Sequence, residues 1–211
     1  PRATPALSKA ATSARTAVIT ASGTGFSPAA GSVYFGVAAS SGDMLLFLNN
    51  DLIIPDRACL SALCATALRP EVGLVGSVLL YPDGTIQHAG MLLLPNAGGG
   101  PAFAGHAYRH APTAGGVLPD ALNAPRNWQA VTGALQCCRR SVFDEAGGYD
   151  ELCLPVEYND VDFCLRVRRL GYRILCLPLA GVVHDESATR KLQDELSASA
   201  SRRLAVSHMH K

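Results

Sequence analysis

The sequence predicts an α/β layer fold, and three observations carry that prediction. Leu45-Leu46-Phe47-Leu48 is an unbroken run of large apolar residues that stops on Asn49-Asn50-Asp51. Such a run suits a strand buried on both faces, as in a sheet covered by helices. Further apolar or β-branched runs alternate with segments of helical spacing, the mark of α/β layers. Turn chemistry, as in Pro82-Asp83-Gly84 and Gly147-Gly148, separates them.

Residues 1–30 are rich in Ala, Ser, Thr, Gly and Pro, and they are expected to be poorly structured, with Ala17-Val18-Ile19-Thr20 as a short strand. A helix is expected over 32–40 and the buried strand over 44–48. Pro55 suits a first helical turn. Cys59, Leu60, Leu63, Cys64, Ala67 and Leu68 then recur at helical spacing, and Pro70 follows the end. Strands are expected over 73–80, 85–88 and 91–94. Residues 96–126 read as one long Gly/Pro/Ala loop, a length often tied to function. A single strand is expected over 128–138. Ser141 is expected to cap a short helix through Ala146 that Gly147-Gly148 ends. A helix over 159–170 closes on Gly171, a strand follows over 173–177, and a last helix spans 190–207.

The chain has 211 residues, enough for one domain with a real core. Its net charge of +1 and lack of a dense basic block argue against nucleic acid as a partner. No apolar run reaches the ~18 residues that span a bilayer, and no charged-then-apolar signal opens the chain. The seven cysteines are odd in number, scattered and without a C-x-x-C pair. They read as reduced thiols of a cytosolic core, with the adjacent Cys137 and Cys138 packing on opposite faces.

Three polar clusters carry the candidate chemistry. Asp51 follows a buried strand, where α/β sheets bind ligands and a carboxylate can hold a hard cation; a polar turn is the plainer reading. In Asn159-Asp160-Val161-Asp162, carboxylates sit in the first turn of a helix. There they either cap it or offer a general base, and Asp162 can pair with Arg166 four residues on. His184 follows Val182-Val183 and suits either a metal ligand or an ordinary hydrogen-bonded role. His106 and His110 share the long loop and read as loop residues rather than a metal pair.

Taken in order, Phe47-Leu48-Asn49-Asn50-Asp51, Leu79-Leu80-Tyr81-Pro82-Asp83-Gly84-Thr85-Ile86-Gln87-His88-Ala89-Gly90, Val131-Thr132-Gly133-Ala134, Arg139-Arg140-Ser141-Val142-Phe143, Gly147-Gly148-Tyr149-Asp150-Glu151, Asn159-Asp160-Val161-Asp162-Phe163-Cys164-Leu165-Arg166, Gly171-Tyr172-Arg173 and His184-Asp185-Glu186-Ser187 form a specific series. The series resembles family 2 glycosyltransferases of the GT-A fold, in their rhamnosyltransferase-like, O-antigen-type branch. It runs over residues 26–195.

The resemblance implies a Rossmann-like nucleotide-diphospho-sugar transferase with a mixed sheet and flanking helices. It implies an inverting, metal-dependent transfer from a nucleoside-diphosphate sugar to a glycan or lipid-linked acceptor hydroxyl. Asp51 matches the last acid of the family's Asp-x-Asp motif, and His184 a second ligand for Mg2+ or Mn2+. Asn49, Asn50 and Arg190 fall to the donor, although Arg190 equally suits a solvated helix. Asp160 matches the catalytic base. Thr132, Gly133, Ala134, Asn159 and Asp162 fall to the acceptor side.

A cytoplasmic location follows from the resemblance, with peripheral association at the inner face of the plasma membrane. The family's opening β/α units are not matched, so an incomplete N-terminal lobe is expected. Residues 31–195 then form the C-terminal two thirds of the domain, and 196–211 a helical tail. An open sheet edge is expected beside residues 44–48, and the chain alone is expected to turn over no donor. Two alternatives stand beside this reading: a non-catalytic glycan- or partner-binding remnant, and a nucleotidyltransferase.

Overall fold

A computed structural model of the chain describes residues 16–21, 32–95, 102–113, 122–154 and 158–185. Strand β1 (Thr16–Ala21), helix α1 (Ser32–Ala39) and strand β2 (Met44–Asn49) open the order, with β1 and β2 parallel. Next come β3 (Leu52–Ile53), α2 (Arg57–Ala67), β4 (Val72–Ser77), β5 (Leu79–Leu80), β6 (Ile86–His88), β7 (Met91–Leu94), β8 (Phe103–His106) and β9 (Arg126–Trp128). The order closes with β10 (Leu135–Arg139), α3 (Arg140–Glu145), α4 (Asn159–Arg169), β11 (Arg173–Leu177) and β12 (Val183–His184).

Among the described residues the main sheet has six strands in the order β1-β2-β10-β4-β11-β9. It is mixed: β1 with β2 and β4 with β11 are parallel, while β10 runs antiparallel to both β2 and β4. The side chains of Met44–Phe47 in β2 alternate between two cores although all four are apolar. Leu45 and Phe47 join the Phe143, Tyr149 and Phe163 cluster beneath α3 and α4. Met44 and Leu46 join Leu63 and Ala67 of α2 on the other face. The expectation of a doubly buried strand is met for that reason. Cys137 and Cys138 divide between the same two cores, and no disulfide joins any of the cysteines.

Several local expectations are corrected. Strand β2 is flanked by β1 and β10, so residues 44–48 are not at a sheet edge. The expected strand over 128–138 is two strands, because residues 131–134 form a turn that sends β10 into the middle of the sheet. Strand 73–80 breaks at Val78 into β4 and β5, which lie in different sheets. The 96–126 loop contains β8, paired antiparallel with β7.

Two helix starts also differ from expectation. Helix α2 is capped by Asp56, whose side chain accepts from the Ala58 N–H at 2.8 Å, so Pro55 precedes the cap. Ser141 lies inside α3 and caps nothing, because β10 runs directly into that helix. Order at this junction comes from Arg140, whose guanidinium donates to the Gly42 and Ser40 carbonyls at 2.8 and 3.1 Å. Helix α4 ends as expected, with Gly171 at φ 92°. The expected helix over 190–207, the domain boundaries near 30 and 195, and Arg190 lie outside the described residues.

Candidate active site

A small second sheet, ordered β3-β12-β5-β6, sits beyond the end of β2 and collects the first group of polar side chains. After β2 the chain turns through Asn50 and Asp51 into β3, and Leu52 pairs with His184 of β12. The Asp185 N–H donates to the Asp51 carbonyl at 3.0 Å. This pairing brings together two residues far apart in the chain: Asp51 Oδ1 lies 3.0 Å from His184 Nε2. Asn49 Nδ2 lies 3.3 Å from the same ring nitrogen. Asn50 is exposed in the turn.

The protonation of His184 can be read from its other partner. Its Nδ1 lies 2.8 Å from Gln87 Oε1. A carbonyl oxygen only accepts, so Nδ1 carries a proton, and in the neutral ring Nε2 presents a lone pair. Asp51 Oδ1 is buried and has no hydrogen-bond partner. In the neutral ring two lone-pair donors then face one another, and either a metal cation or a second ring proton resolves that arrangement.

The spacing fits one. Two adjacent ligands on an octahedral ion at about 2.1 Å lie about 3.0 Å apart. Among the described residues no group of three or more His, Cys, Asp or Glu suits a metal. A hard divalent ion normally takes only one or two protein ligands beside substrate phosphates and water, so the pair of Asp51 and His184 meets that pattern.

The second group gathers at residues 131–134. The Gly133 N–H donates to Asp160 Oδ2 at 2.7 Å, and the Val161 N–H to Asp160 Oδ1 at 2.8 Å. Burial raises the Asp160 carboxyl above the ordinary aspartate range, and these backbone donors oppose the rise. The next residue, Ala134, accepts from the Asn49 N–H through its carbonyl at 2.9 Å. One short loop thus touches both the strand bearing Asn49 and the helix bearing Asp160.

Thr132 is held by its own neighbours: its N–H donates to His88 Nε2 at 3.4 Å, and its Oγ1 accepts from the Ala134 N–H at 3.4 Å. His88 Nδ1 in turn meets His106 Nδ1 at 3.1 Å. Burial, aided by His106 and His184, holds the His88 imidazole well below its ordinary pKa. His106 is therefore the half-buried partner of the buried His88 imidazole and not a partner of His110, which stacks on Tyr81 at 5.0 Å.

Two other expected site residues are buried. Asp162 is fully buried and pairs with Arg166 at 2.7 Å, so an acceptor does not reach it. Asn159 is buried as well. Gln87 and His88 belong to a stretch read from the sequence only as part of a motif. Their partners lie 97 and 44 residues away, and no local pattern announces them.

No protein-family profile matches the chain. It is 41% identical over 153 residues to an O-antigen biosynthesis protein, RfbC, of Myxococcus xanthus, across 72% of this chain and 12% of that protein. It is 38% identical over 173 residues to a protein designated uncharacterized protein y4gI of Sinorhizobium fredii, across 82% of this chain and 18% of that protein. The chain thus spans under a fifth of either relative's length. Among solved structures it is similar to a mannosyltransferase of Pyrobaculum calidifontis in complex with GDP-Man and Mn2+. The TM-score is 0.52 at 14% identity, covering 86% of this chain and 44% of that one. The chain has the GT-A glycosyltransferase fold, and an O-antigen biosynthesis protein is among its sequence relatives.

Proposed function

We propose that this chain carries the metal and acceptor side of an inverting family 2 glycosyltransferase. It moves a sugar from a nucleoside-diphosphate donor to a hydroxyl of a glycan or lipid-linked acceptor during cell-envelope polysaccharide synthesis. The observation that carries the reading is the convergence at residues 131–134. Asp160 is bonded to Gly133, and the next residue holds the strand leading to Asp51 and His184.

Asp51 and His184 would hold Mg2+ or Mn2+, with Asn49 beside them. When bound, that cation neutralises the departing diphosphate. Asp160 accepts the proton of the acceptor hydroxyl as its oxygen attacks the anomeric carbon. The bond to the diphosphate breaks on the opposite face, so the new glycosidic bond has inverted configuration. The carboxyl raised by burial is matched to that work, because a base poised nearer neutrality transfers protons best. Gly133 holds the carboxylate in place through its N–H.

The O-antigen relative and the GDP-Man and Mn2+ of the mannosyltransferase support the substrate class. No helix among the described residues is long and apolar enough to cross a membrane, and the reading places the chain peripherally at the cytoplasmic face. Since the chain alone is expected to turn over no donor, the test joins it to a nucleotide-binding lobe, incubates that protein with sugar nucleotides, lipid-linked acceptors and Mn2+ or EDTA, and follows released nucleoside diphosphate and glycosylated product. Metal-dependent transfer with inverted product supports the proposal. Transfer that EDTA leaves unchanged, or product of retained configuration, overturns it.

A further inference from the structure

We infer that Gln87 is a positioning residue that fixes the tautomer of His184 and so keeps Nε2 open to a cation. The inference rests on the metal-site reading above and adds to it a residue that touches neither metal nor substrate.

Gln87 is almost fully buried on β6, one strand removed from β12 in the small sheet. Its amide clasps His184 at two points. Oε1 accepts from ring Nδ1 at 2.8 Å, and Nε2 donates to the His184 backbone carbonyl at 3.4 Å. The clasp settles which way the amide faces. Turned over, it would set its oxygen against the His184 carbonyl oxygen, two acceptors with no proton between them. The orientation seen therefore requires the proton on Nδ1.

The alternative tautomer has a clear attraction. With the proton on Nε2, the ring would donate to Asp51 Oδ1, 3.0 Å away, and satisfy an otherwise orphaned buried acceptor. That internal bond would close the two ligands onto each other, and a cation would have to break it. By holding the proton on the far nitrogen, Gln87 keeps Asp51 Oδ1 unsatisfied and leaves Nε2 held only by the long 3.3 Å contact from Asn49 Nδ2 until a cation arrives. Metal-bound histidines commonly donate their second N–H in this way, and losing such a partner costs roughly 10- to 100-fold in metal affinity.

The test compares wild type, Gln87→Leu, Gln87→Met and Gln87→Glu by 15N NMR of the His184 ring without metal, at a pH where the spectrum itself shows a neutral imidazole. It then titrates Mn2+ alone, followed by EPR. Wild type is expected to carry its ring proton on Nδ1. Both apolar variants are expected to shift it to Nε2 and to weaken Mn2+ binding roughly 10- to 100-fold. Gln87→Glu keeps an acceptor for Nδ1 and is expected to retain the tautomer and most of the affinity.

An unchanged tautomer in a folded apolar variant overturns the inference. So does equal loss in Gln87→Glu and the apolar variants, which would report packing alone. Asp51→Asn separates the two readings. If it binds Mn2+ as wild type does, the metal site itself falls, and the tautomer measurement still judges Gln87.

Discussion

Replacing Asp51 by Asn should make the metal-free protein more stable while removing its response to metal. In the wild type, Asp51 Oδ1 is buried, without a hydrogen bond and 3.0 Å from a ring nitrogen that, in neutral His184, offers only a lone pair. An Asn side chain can place an N–H there and donate to His184 Nε2. A net hydrogen bond contributes about 0.5–1.5 kcal/mol. The rest of the Asp51 side chain is 37% exposed, so about 1 kcal/mol is the reasonable gain. In a domain of this size that raises Tm by about 2–4 °C.

Metal acts in the opposite sense. At roughly 100 times its Kd, a ligand specific to the folded state adds about 2.7 kcal/mol. Wild type is expected to gain that from Mn2+ and Asp51→Asn to gain none. Thermal melts in EDTA and in Mn2+ should therefore rank the two proteins in opposite orders. A variant that melts at or below wild type in EDTA refutes the facing lone pairs. A variant that gains as much from Mn2+ as wild type refutes the ligand assignment.

Asp160→Asn is expected to lower kcat about 10²- to 10⁴-fold with donor KM nearly unchanged, because only the transition state uses the base; wild-type-like steady-state rates would remove Asp160 from that role. Since the carboxyl must be ionised and burial raises it, the acid limb of the wild-type kcat/KM profile should lie above the ordinary aspartate range. The same rise means the folded state binds more protons than the unfolded state across that window, so stability should fall as pH climbs through it, as read by denaturation at a series of pH values. Arg166→Met leaves the Asp162 carboxylate buried without its ion-pair partner, and urea melts should show a loss of about 3–5 kcal/mol. Adding Asp162→Asn should restore much of it, and a single variant as stable as wild type would exclude the pair as a structural tie. Gly90→Ala sets a Cβ 2.2 Å from the Trp128 ring at φ 116°, so melting should report a loss of several kcal/mol, and an unperturbed melt would place that ring elsewhere.

What could be read in the sequence was what neighbours in the chain decide. The apolar run at residues 44–48 is a central strand, and Gly171 ends α4 at positive φ, because both follow from a few consecutive residues. The 128–138 stretch misleads for the same reason. Each residue suits a strand, and only the place awaiting β10 between β2 and β4 explains the turn at residues 131–134. Ser141 has the right chemistry for a cap, but the strand enters α3 with no loop in which a cap could form. At the site, Asp51, His184 and Asp160 were visible through their family resemblance, and the structure supplies their distances. Gln87 was not visible as a partner of His184, since 97 residues separate them and no spacing rule spans that. Asp162 was placed both beside Arg166 and near the acceptor, and the short ion pair leaves only the first position open.

The antiparallel strand at the centre of the main sheet has a consequence for how the chain comes to be folded. β1-β2 and β4-β11 are parallel pairs, and β10 alone bonds them to each other. During synthesis β2 and β4 emerge long before residues 135–139 do, and until then each presents an unpaired backbone edge. Closure must wait for a distant segment, which gives slow folding and a window in which the early strands can pair wrongly. An element that recruits β10 early would shorten that window. Arg139 and Arg140 are suited to it, because their guanidiniums already reach carbonyls at residues 40, 42 and 69, on the chain ends next to β2 and β4. These two charges, at the junction of β10 and α3, would then act on the rate of folding as well as on the stability of the folded sheet.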